Sequence, residues 1–208
     1  MAGDGIHDSQ AGISLPPGTH TISGPDALAF IRTRHGVGDG SDLARISNQQ
    51  QYMSRLAKKI LSAETLTDPA TVLRLANIVA DNIVPSVSLS NPLTLTQLGL
   101  ALKDVPFDDF VFVQHPNVTD PADPNKVVPD EDAAAPLWAA LIAGDPIRLS
   151  GEVATNRGVV LSTPAPTAPV DGAAPEPSAS PGAGVTLPPE VSGQSVDQDT
   201  CSQGNQAQ

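Results

Sequence analysis

The sequence predicts an α/β fold that is rich in helix, has few strands and ends in a disordered tail. Capping residues followed by apolar residues at helical spacing recur between residues 25 and 143. Only residues 107–115, FDDFVFVQH, carry a convincing strand pattern. The composition changes near residue 160. We therefore predict a folded region at residues 1–147, an exit segment at 148–160 and a disordered tail at 161–208.

Composition and charge exclude several classes of protein. The 208 residues include 21 prolines and 17 glycines, too many to be spread through one compact domain. The net charge of -12 repels phosphate backbones and argues against nucleic-acid binding. The single cysteine, Cys201, excludes an internal disulfide framework and a cysteine-rich metal site. No apolar run reaches the roughly 18 residues that a membrane span needs, and the N-terminus does not resemble a signal peptide.

The predicted tail is acidic and rich in proline. Residues 161–208 contain eight prolines and five acidic residues, and no lysine, arginine, histidine or aromatic residue. Such a segment buries too little apolar surface to offset the roughly 1–2 kcal/mol of backbone entropy that each ordered residue loses. We therefore expect this tail to be disordered, with Cys201 as an exposed thiol.

Two predicted helices flank a glycine-rich loop in the most informative part of the chain. The first helix should begin at Pro25, after a cap at Ser23 or Gly24, and end near Arg34. Three glycines within residues 36–40 predict a flexible loop whose backbone can approach a ligand closely. The other predicted helices run from a cap at Ser41 or Asp42 to about residue 62, from 69 to 84, from 94 to 103 and from 132 to 143.

Basic residues are concentrated around this loop. Residues 32–59 contain six Lys or Arg and two Asp, although the whole chain is strongly acidic. Arg32 and Arg34 lie at the end of the first predicted helix and can present two guanidinium groups to one polyanion. Asp42 and Arg45 lie in the first turn of the next helix, whose free N–H groups also attract anions. The pattern predicts either a phosphate or pyrophosphate site or an Arg–Asp salt-bridge cluster that joins the two helices.

Amide side chains follow these charged residues. Gln50 lies within the apolar arc of the second predicted helix, Gln49 lies at its border and Asn48 flanks it. A buried glutamine without a hydrogen-bond partner costs roughly 1–3 kcal/mol. The sequence alone leaves open whether that partner is another group of the protein or a ligand.

Residues 23–51, SGPDALAFIRTRHGVGDGSDLARISNQQQ, resemble the signature of the LytR–CpsA–Psr (LCP) family. That signature is approximately G-x-x-A-L-x-[YF]-x-R-x-R, a Gly/Asp loop and D-x-x-R-x-x-R-Q-Q. Asp8, Gly12, Leu15 and the Gly18 turn also resemble the segment that precedes it. The resemblance implies that the folded region is the C-terminal portion of a three-layer α/β/α domain.

The resemblance also implies a transferase of the cell envelope. Members of the family act outside the cytoplasmic membrane, mostly in Gram-positive bacteria, and transfer a glycopolymer from a polyprenyl-(pyro)phosphate carrier to peptidoglycan, typically with Mg²⁺. By this resemblance Arg32, Arg34 and Arg45 would hold the pyrophosphate and stabilise the charge on the leaving prenyl phosphate. Asp42 would orient these arginines, or else act as a base or metal ligand.

The same resemblance assigns roles to the amides and to the apolar arc of the second predicted helix. Gln49 and Gln50 would hydrogen-bond the head group, with Asn48 beside them where the family signature has arginine. The apolar residues of the arc, together with the next two predicted helices, would line a cavity for the prenyl chain or form a packed core. The arc includes Met53, Leu56 and Ile60.

The resemblance implies that the chain begins near the middle of the family domain. The N-terminal membrane helix, through which the protein would associate with the membrane, would then precede residue 1. So would the acidic residues that bind Mg²⁺, and apart from the alternative role of Asp42 no metal ligand is predicted in this chain. Because part of the active site would then lie outside this chain, the resemblance leaves open whether the chain is itself an enzyme.

Two other functions compete with the transferase. One is a non-catalytic extracellular module that uses the same arginines to bind anionic lipid carriers or wall polymers. The other is transcriptional regulation, against which the acidic charge and the lack of a basic recognition helix argue.

Overall fold

The computed structural model describes residues 5–62, 65, 67–84, 86–102, 105–150, 158–162 and 184–205. Five α-helices and ten short strands lie within these residues, which confirms the predicted α/β class. The strands form pairs rather than one continuous sheet in this part of the chain. The longest described helix, Asp42–Ile60, packs against two of these strand pairs.

The first two helices form where the sequence predicts them. Helix α1 spans Gly24–Arg32, with Ser23 at its N-cap position and a proline in its first turn. Helix α2 spans Asp42–Ile60, and the Ser41 hydroxyl accepts a hydrogen bond from the Ala44 N–H at 3.2 Å. The loop between them therefore has a defined entry and exit.

Of the other three helices, the first begins at the predicted residue, and the next two begin two residues and one residue earlier than predicted. Each has an Asp or Asn at its N-cap position whose side chain accepts a backbone N–H. Asn91 caps the fourth helix, which begins before the predicted residue 94 because the proline that follows Asn91 suits the first turn. Gly144 ends the last helix in the left-handed conformation, at φ 73°. These helices are α3 (Pro69–Asn82), α4 (Pro92–Ala101) and α5 (Glu131–Ala143).

Two of the strand pairs are local hairpins, and three join segments that are distant in sequence. The hairpins are antiparallel and comprise β1 (Ile6–Asp8) with β2 (Ile13–Leu15) and β4 (Asn117–Asp120) with β5 (Asp123–Pro129). The long-range pairs are β3 (Val111–Val113) with β9 (Gly193–Ser195), β6 (Ile147–Leu149) with β8 (Val185–Leu187) and β7 (Val159–Leu161) with β10 (Thr200–Ser202). Only the β6–β8 pair is parallel among the described strands.

The strand predicted at residues 107–115 is shorter in the structure. Residues Phe107–Asp109 form a 3-10 turn after Pro106, and only β3 is extended. A strand of three residues leaves too short an alternation for its ends to be predicted from the pattern.

The predicted disordered tail is wrong over residues 184–205, which contain β8, β9 and β10. Leu187, Val191 and Val196 are buried, and the first two pack with Leu137 of α5 in one core cluster. Alone, the segment buries too little apolar surface to be ordered, but its few apolar residues gain burial against the preceding region. The exit segment predicted at 148–160 likewise contributes to β6 and β7. Residues 163–183 and 206–208 lie outside the described residues.

A second core cluster lies beneath the loop between α1 and α2. Ile6, Ile13, Phe30, Val37 and Ala44 are buried together there. The β1–β2 hairpin, α1, the loop and the start of α2 thus share one core, which fixes their relative positions. Within the described residues, no helix is long and apolar enough to span a membrane.

Candidate functional site

Two amide side chains of α2 bind the C-terminal end of α1. The Asn48 Nδ2 donates to the Phe30 carbonyl at 2.8 Å, and the Gln49 Nε2 donates to the Ile31 carbonyl at 2.9 Å. The last carbonyls of a helix have no partner within the helix, so these bonds satisfy groups that would otherwise be unpaired. They hold residues 32–34 beside the first turn of α2.

Asp8 at the end of β1 fixes the chain immediately after α1. Its Oδ2 accepts from the Thr33 hydroxyl at 2.7 Å and from the Arg34 N–H at 3.3 Å. Its Oδ1 accepts from the N–H groups of Gln10 and Ala11 at 3.0 and 3.1 Å. Asp8 is buried, and burial opposes ionisation of its carboxyl group. The hydrogen bonds from Thr33, Ala11, Gln10 and Arg34 outweigh that effect and hold the pKa of Asp8 below its ordinary value.

Substituting Asp8→Asn should therefore lower the free energy of unfolding at pH 7 by about 2 kcal/mol, because an amide NH₂ cannot accept these hydrogen bonds. Because the pKa of Asp8 is lower in the folded state, ionised Asp8 stabilises the fold at pH values above its unfolded-state pKa of about 3.9. This stabilisation is lost as the pH falls through the pKa of Asp8 in the folded state. The difference between the wild type and Asp8→Asn should thus shrink below about pH 4. Urea unfolding across pH 3–7 measures it, and a difference that does not change with pH would refute the ionised role of Asp8.

Arg34 and Arg45 converge on Asp42. The Arg34 Nη1 lies 3.7 Å from the Asp42 Oδ1, and the Arg45 Nη2 lies 3.4 Å from the same oxygen. The Arg34 Nε donates to the Gly40 carbonyl at 3.0 Å, which orients its guanidinium group. All three side chains are more than one-third exposed. The cluster joins two segments of the chain, as the salt-bridge interpretation predicts, and its two guanidinium groups are also accessible to solvent.

The Arg45 side chain has unused hydrogen-bonding capacity. Its Nε is shielded from solvent and has no hydrogen-bond partner among the described residues. Exposed ion pairs contribute only about 0–1 kcal/mol each, so a ligand of higher charge can displace Asp42 at little cost. The pair of arginines is therefore suited to bind a polyanion.

Arg32 does not join this cluster. It is the last residue of α1 and is exposed, and it forms no ion pair within the described part of the chain. The structure therefore brings together Arg34, Asp42 and Arg45 of the four predicted charged residues and leaves Arg32 separate.

The three predicted amide ligands, Asn48, Gln49 and Gln50, differ in burial and in hydrogen bonding. Asn48 is fully buried, and its Oδ1 accepts from the Ser202 hydroxyl at 2.5 Å. Because both ends of its amide are bonded within the protein, Asn48 has a positioning role rather than the predicted contact with the head group. Gln49 is engaged with the end of α1 and half-buried, and Gln50 is half-buried beside it.

The glycine-rich loop approaches another part of the chain rather than open solvent. Gly38 has φ 53°, and a Cβ on it would lie 2.7 Å from the Gly158 backbone nitrogen. Its N–H donates to the Gln203 carbonyl at 3.1 Å, and the Asn205 N–H donates to the Gly36 carbonyl at 3.0 Å. The flexible ligand-binding loop predicted from these glycines is thus a loop fixed by backbone contacts with residues 158 and 203–205.

A cavity of about 950 Å³ lies between α2, α3, residues 18–24 and β10. Its apolar wall includes Leu56 and Ile60, as predicted, whereas Met53 is exposed outside it. The described part of α4 contributes no lining residue, contrary to the prediction for the prenyl cavity. Other apolar lining residues are Ile22, Phe30, Tyr52 and Leu75, and the basic ones are His20, Arg55 and Lys59.

The arginine cluster lies at the start of α2, and the cavity lies beside the C-terminal half of the same helix. None of Arg32, Arg34 and Arg45 lines the cavity. From Arg45 to Tyr52 the helix rises about 10 Å. At the cavity itself, Arg55 is paired with Asp199, with 2.7 Å between the Arg55 Nη1 and the Asp199 Oδ1. These C-terminal contacts were missed by the sequence analysis, because nothing in the pattern relates residues 144 positions apart.

Acidic side chains do not gather into a metal site in this structure. The residues that it describes contain no group of three or more His, Cys, Asp or Glu side chains that could hold a metal ion. The donor set that a magnesium ion prefers, several oxygen ligands around one point, is therefore not formed by this part of the chain alone.

The fold and site define an α/β protein with two arginines clustered at the N-terminus of a long helix, and an apolar cavity beside the other end of that helix. The chain belongs to the LytR_cpsA_psr family, whose model matches residues 3–141. This match includes the signature around Arg34 and Asp42 and extends to α5. No solved structure matches the chain significantly.

Curated relatives match parts of the chain. It is 40% identical over 79 residues to the "Cell wall biosynthesis protein LcpA" of Corynebacterium glutamicum, covering 38% of this chain and 15% of the relative. It is 31% identical over 101 residues to the "Biofilm regulatory protein A" of Streptococcus mutans, covering 48% and 24%. It is 29% identical over 98 residues to the "Polyisoprenyl-teichoic acid--peptidoglycan teichoic acid transferase TagT" of Bacillus subtilis, covering 47% and 29%. The chain thus spans less than a third of the length of each relative.

Proposed function

We propose that this chain contributes to the transfer of a glycopolymer from a polyprenyl-pyrophosphate carrier to peptidoglycan during cell-wall assembly. The observation that carries the proposal is the convergence of Arg34 and Arg45 on one exposed carboxylate, Asp42. Family membership and the names of two relatives, a cell-wall biosynthesis protein and a teichoic acid transferase, support the same class of reaction.

The proposed head-group site is the N-terminal turn of α2. Two guanidinium groups and the positive end of a helix dipole lie there, and each favours a bound diphosphate. A diphosphate carries more charge than the Asp42 carboxylate and offers more acceptor oxygens to Arg34 and Arg45. When the bond to the prenyl phosphate breaks, negative charge grows on the leaving group, and fixed cations stabilise that charge most.

Asp42 is proposed to position the two arginines in the absence of ligand. Gln49 holds the end of α1 against α2 and so supports the site through the backbone. Gln50 remains a proposed polar contact for the head group. Arg32 is proposed only as a more distant positive charge, since it lies outside the cluster. Mg²⁺ remains a proposed cofactor of the transfer, although the described residues alone form no group of three or more side chains that could hold it.

The proposed prenyl site is the cavity beside the C-terminal half of α2. An apolar cavity of about 950 Å³ accommodates a flexible hydrocarbon chain, whose transfer from water is favourable by about 0.8 kcal/mol per CH₂ group. A head group at Arg45 and a prenyl chain near Leu56 would lie along one helix. This arrangement, together with the family's relatives, supports an extracytoplasmic location at the cell envelope.

The test is whether the chain binds a prenyl pyrophosphate through both parts. We expect geranylgeranyl pyrophosphate to bind at least about tenfold more tightly than inorganic pyrophosphate in calorimetric titrations, because only the former uses the apolar cavity. Leu75→Glu should weaken geranylgeranyl pyrophosphate binding by at least about tenfold and change pyrophosphate binding by less than about threefold, because it places a carboxylate in the cavity wall.

Leu73→Glu is the matched control, since Leu73 lies on the same helix but is exposed and outside the cavity. Its titration should match that of the wild type. Equal affinities for the prenylated and the inorganic ligand would contradict the proposal. The alternative of a non-catalytic binding module predicts the same binding without transfer of a labelled glycan to peptidoglycan.

A further inference from the structure

One segment of the chain is free of charged residues and unusually exposed. Residues 82–102 contain no Asp, Glu, Lys, Arg or His, and this is the longest such stretch in the sequence. We call it the neutral segment. It begins at the last residue of α3, includes the 3-10 turn Val87–Leu89 and all of α4, and ends one residue after α4, and its residue Pro85 lies outside the described residues. In a chain with a net charge of -12, a stretch of this length without charge is exceptional.

Several apolar side chains of the neutral segment are exposed to solvent, whereas Leu89, Leu95 and Leu102 are half-buried. Val84 is 100% exposed and Val87 is 92% exposed. Ile83 and Leu93 are also more than half exposed. These four large exposed apolar side chains lie within eleven residues of one another along the chain, and clustered exposed apolar residues are typical of interaction sites.

We propose that the neutral segment docks the protein onto the surface of a lipid bilayer. Inserting apolar side chains beneath the lipid head groups is favourable only when no charge enters the low-dielectric region with them, and this segment meets that condition. A second copy of the chain is a poorer occupant, because docking would bring together two molecules that each carry a charge of -12.

The position of the segment relative to the cavity supports a lipid partner. Helix α3 provides Thr71 and Leu75 to the cavity wall and ends at the neutral segment. From Leu75 to Ile83 the helix rises about 12 Å. A docked segment would hold the cavity close to the membrane in which a polyprenyl carrier resides, and this consequence rests on the proposed function.

The test measures cosedimentation of the full chain with phosphatidylcholine vesicles that contain no prenyl lipid. We expect the wild type to bind and to remain bound in about 0.5 M NaCl, where electrostatic attraction is screened. The double substitution Val84→Asp and Val87→Asp should lower the partition coefficient at least about tenfold. Ile142→Asp is the matched control, because Ile142 is 86% exposed on α5 and outside the segment, and it should change partitioning less than about twofold.

A second measurement does not depend on the folding of the double variant. An environment-sensitive fluorophore is attached to Val84→Cys in a Cys201→Ser background and compared with the same label at Ile142→Cys. Vesicles should shift the emission of the label at position 84 to the blue and leave that at 142 unchanged. Equal responses at both positions, or no cosedimentation of the wild type, would overturn the proposal. So would a dimer in sedimentation equilibrium that the double substitution dissociates.

This result can be separated from that of the proposed function. Loss of vesicle binding with intact geranylgeranyl pyrophosphate binding refutes only the docking surface. Vesicle binding without affinity for geranylgeranyl pyrophosphate refutes the proposed function and leaves the docking surface.

Discussion

Replacing Asn48 with alanine should lower the free energy of unfolding by about 2–3 kcal/mol, equivalent to a fall in Tm of about 6 °C for a chain of this length. Asn48 is fully buried and donates to the Phe30 carbonyl at 2.8 Å. Alanine would leave that buried carbonyl without a partner and open a small cavity around it. The Ser202 hydroxyl would lose its hydrogen bond to the Asn48 Oδ1 but would still have the longer one to the Gln51 Oε1, at 3.2 Å.

Thermal and urea unfolding of Asn48→Ala measure this loss. Asn77→Ala is the matched control, because Asn77 is an exposed amide on α3 and its loss should change stability by less than about 0.5 kcal/mol. If the two alanine variants unfold alike, Asn48 does not join α1, α2 and the C-terminal segment as described. If Asn48→Ala instead weakens ligand binding without loss of stability, its role is in the head-group contact predicted from the sequence.

The second large effect is expected for the arginine cluster. Arg34→Ala and Arg45→Ala should each weaken geranylgeranyl pyrophosphate binding about 10- to 100-fold, because each removes charge-assisted hydrogen bonds worth about 1.5–3 kcal/mol. Neither change should lower the free energy of unfolding by more than about 1 kcal/mol, since both side chains are exposed ion-pair partners of Asp42. The large effect on affinity would thus come with a small effect on stability.

Two controls define what this result means. Arg74→Ala removes an arginine from α3 outside the cluster and the cavity, and its affinity should equal that of the wild type. Arg55→Ala removes a basic residue of the cavity that is already paired with Asp199. If Arg55→Ala weakens binding more than Arg34→Ala or Arg45→Ala, the head group binds in the cavity and the assignment to the N-terminus of α2 is wrong.

The sequence predicted the elements that have strong local signals. The helix starts followed from Ser41, Asp68 and the prolines in the first turns, because capping depends on neighbouring residues. The resemblance also identified Arg34, Asp42 and Arg45, which the structure brings together. Local pattern and a specific motif were therefore sufficient for α1, α2 and the charged part of the site.

Long-range partners could not be predicted in the same way. Ser202 bonds to Asn48 across more than 150 residues, and the glycine-rich loop contacts residues 203–205. The composition of the last 48 residues suggested disorder, because it does not reveal which distant surface their few apolar side chains can cover. The positioning roles of Asn48 and Gln49 follow from the unpaired carbonyls at the end of α1, which become evident only when the two helices are placed together.

The guanidinium Nε–H resonances of the arginines offer the most direct measurement of whether two of them bind one diphosphate. Titration with geranylgeranyl pyrophosphate should shift the resonances of Arg34 and Arg45 together, in one saturable transition with a common Kd, while that of Arg74 stays in place. Unchanged Arg34 and Arg45 resonances at saturating ligand, or equal shifts of every arginine, would contradict a shared diphosphate site at the start of α2.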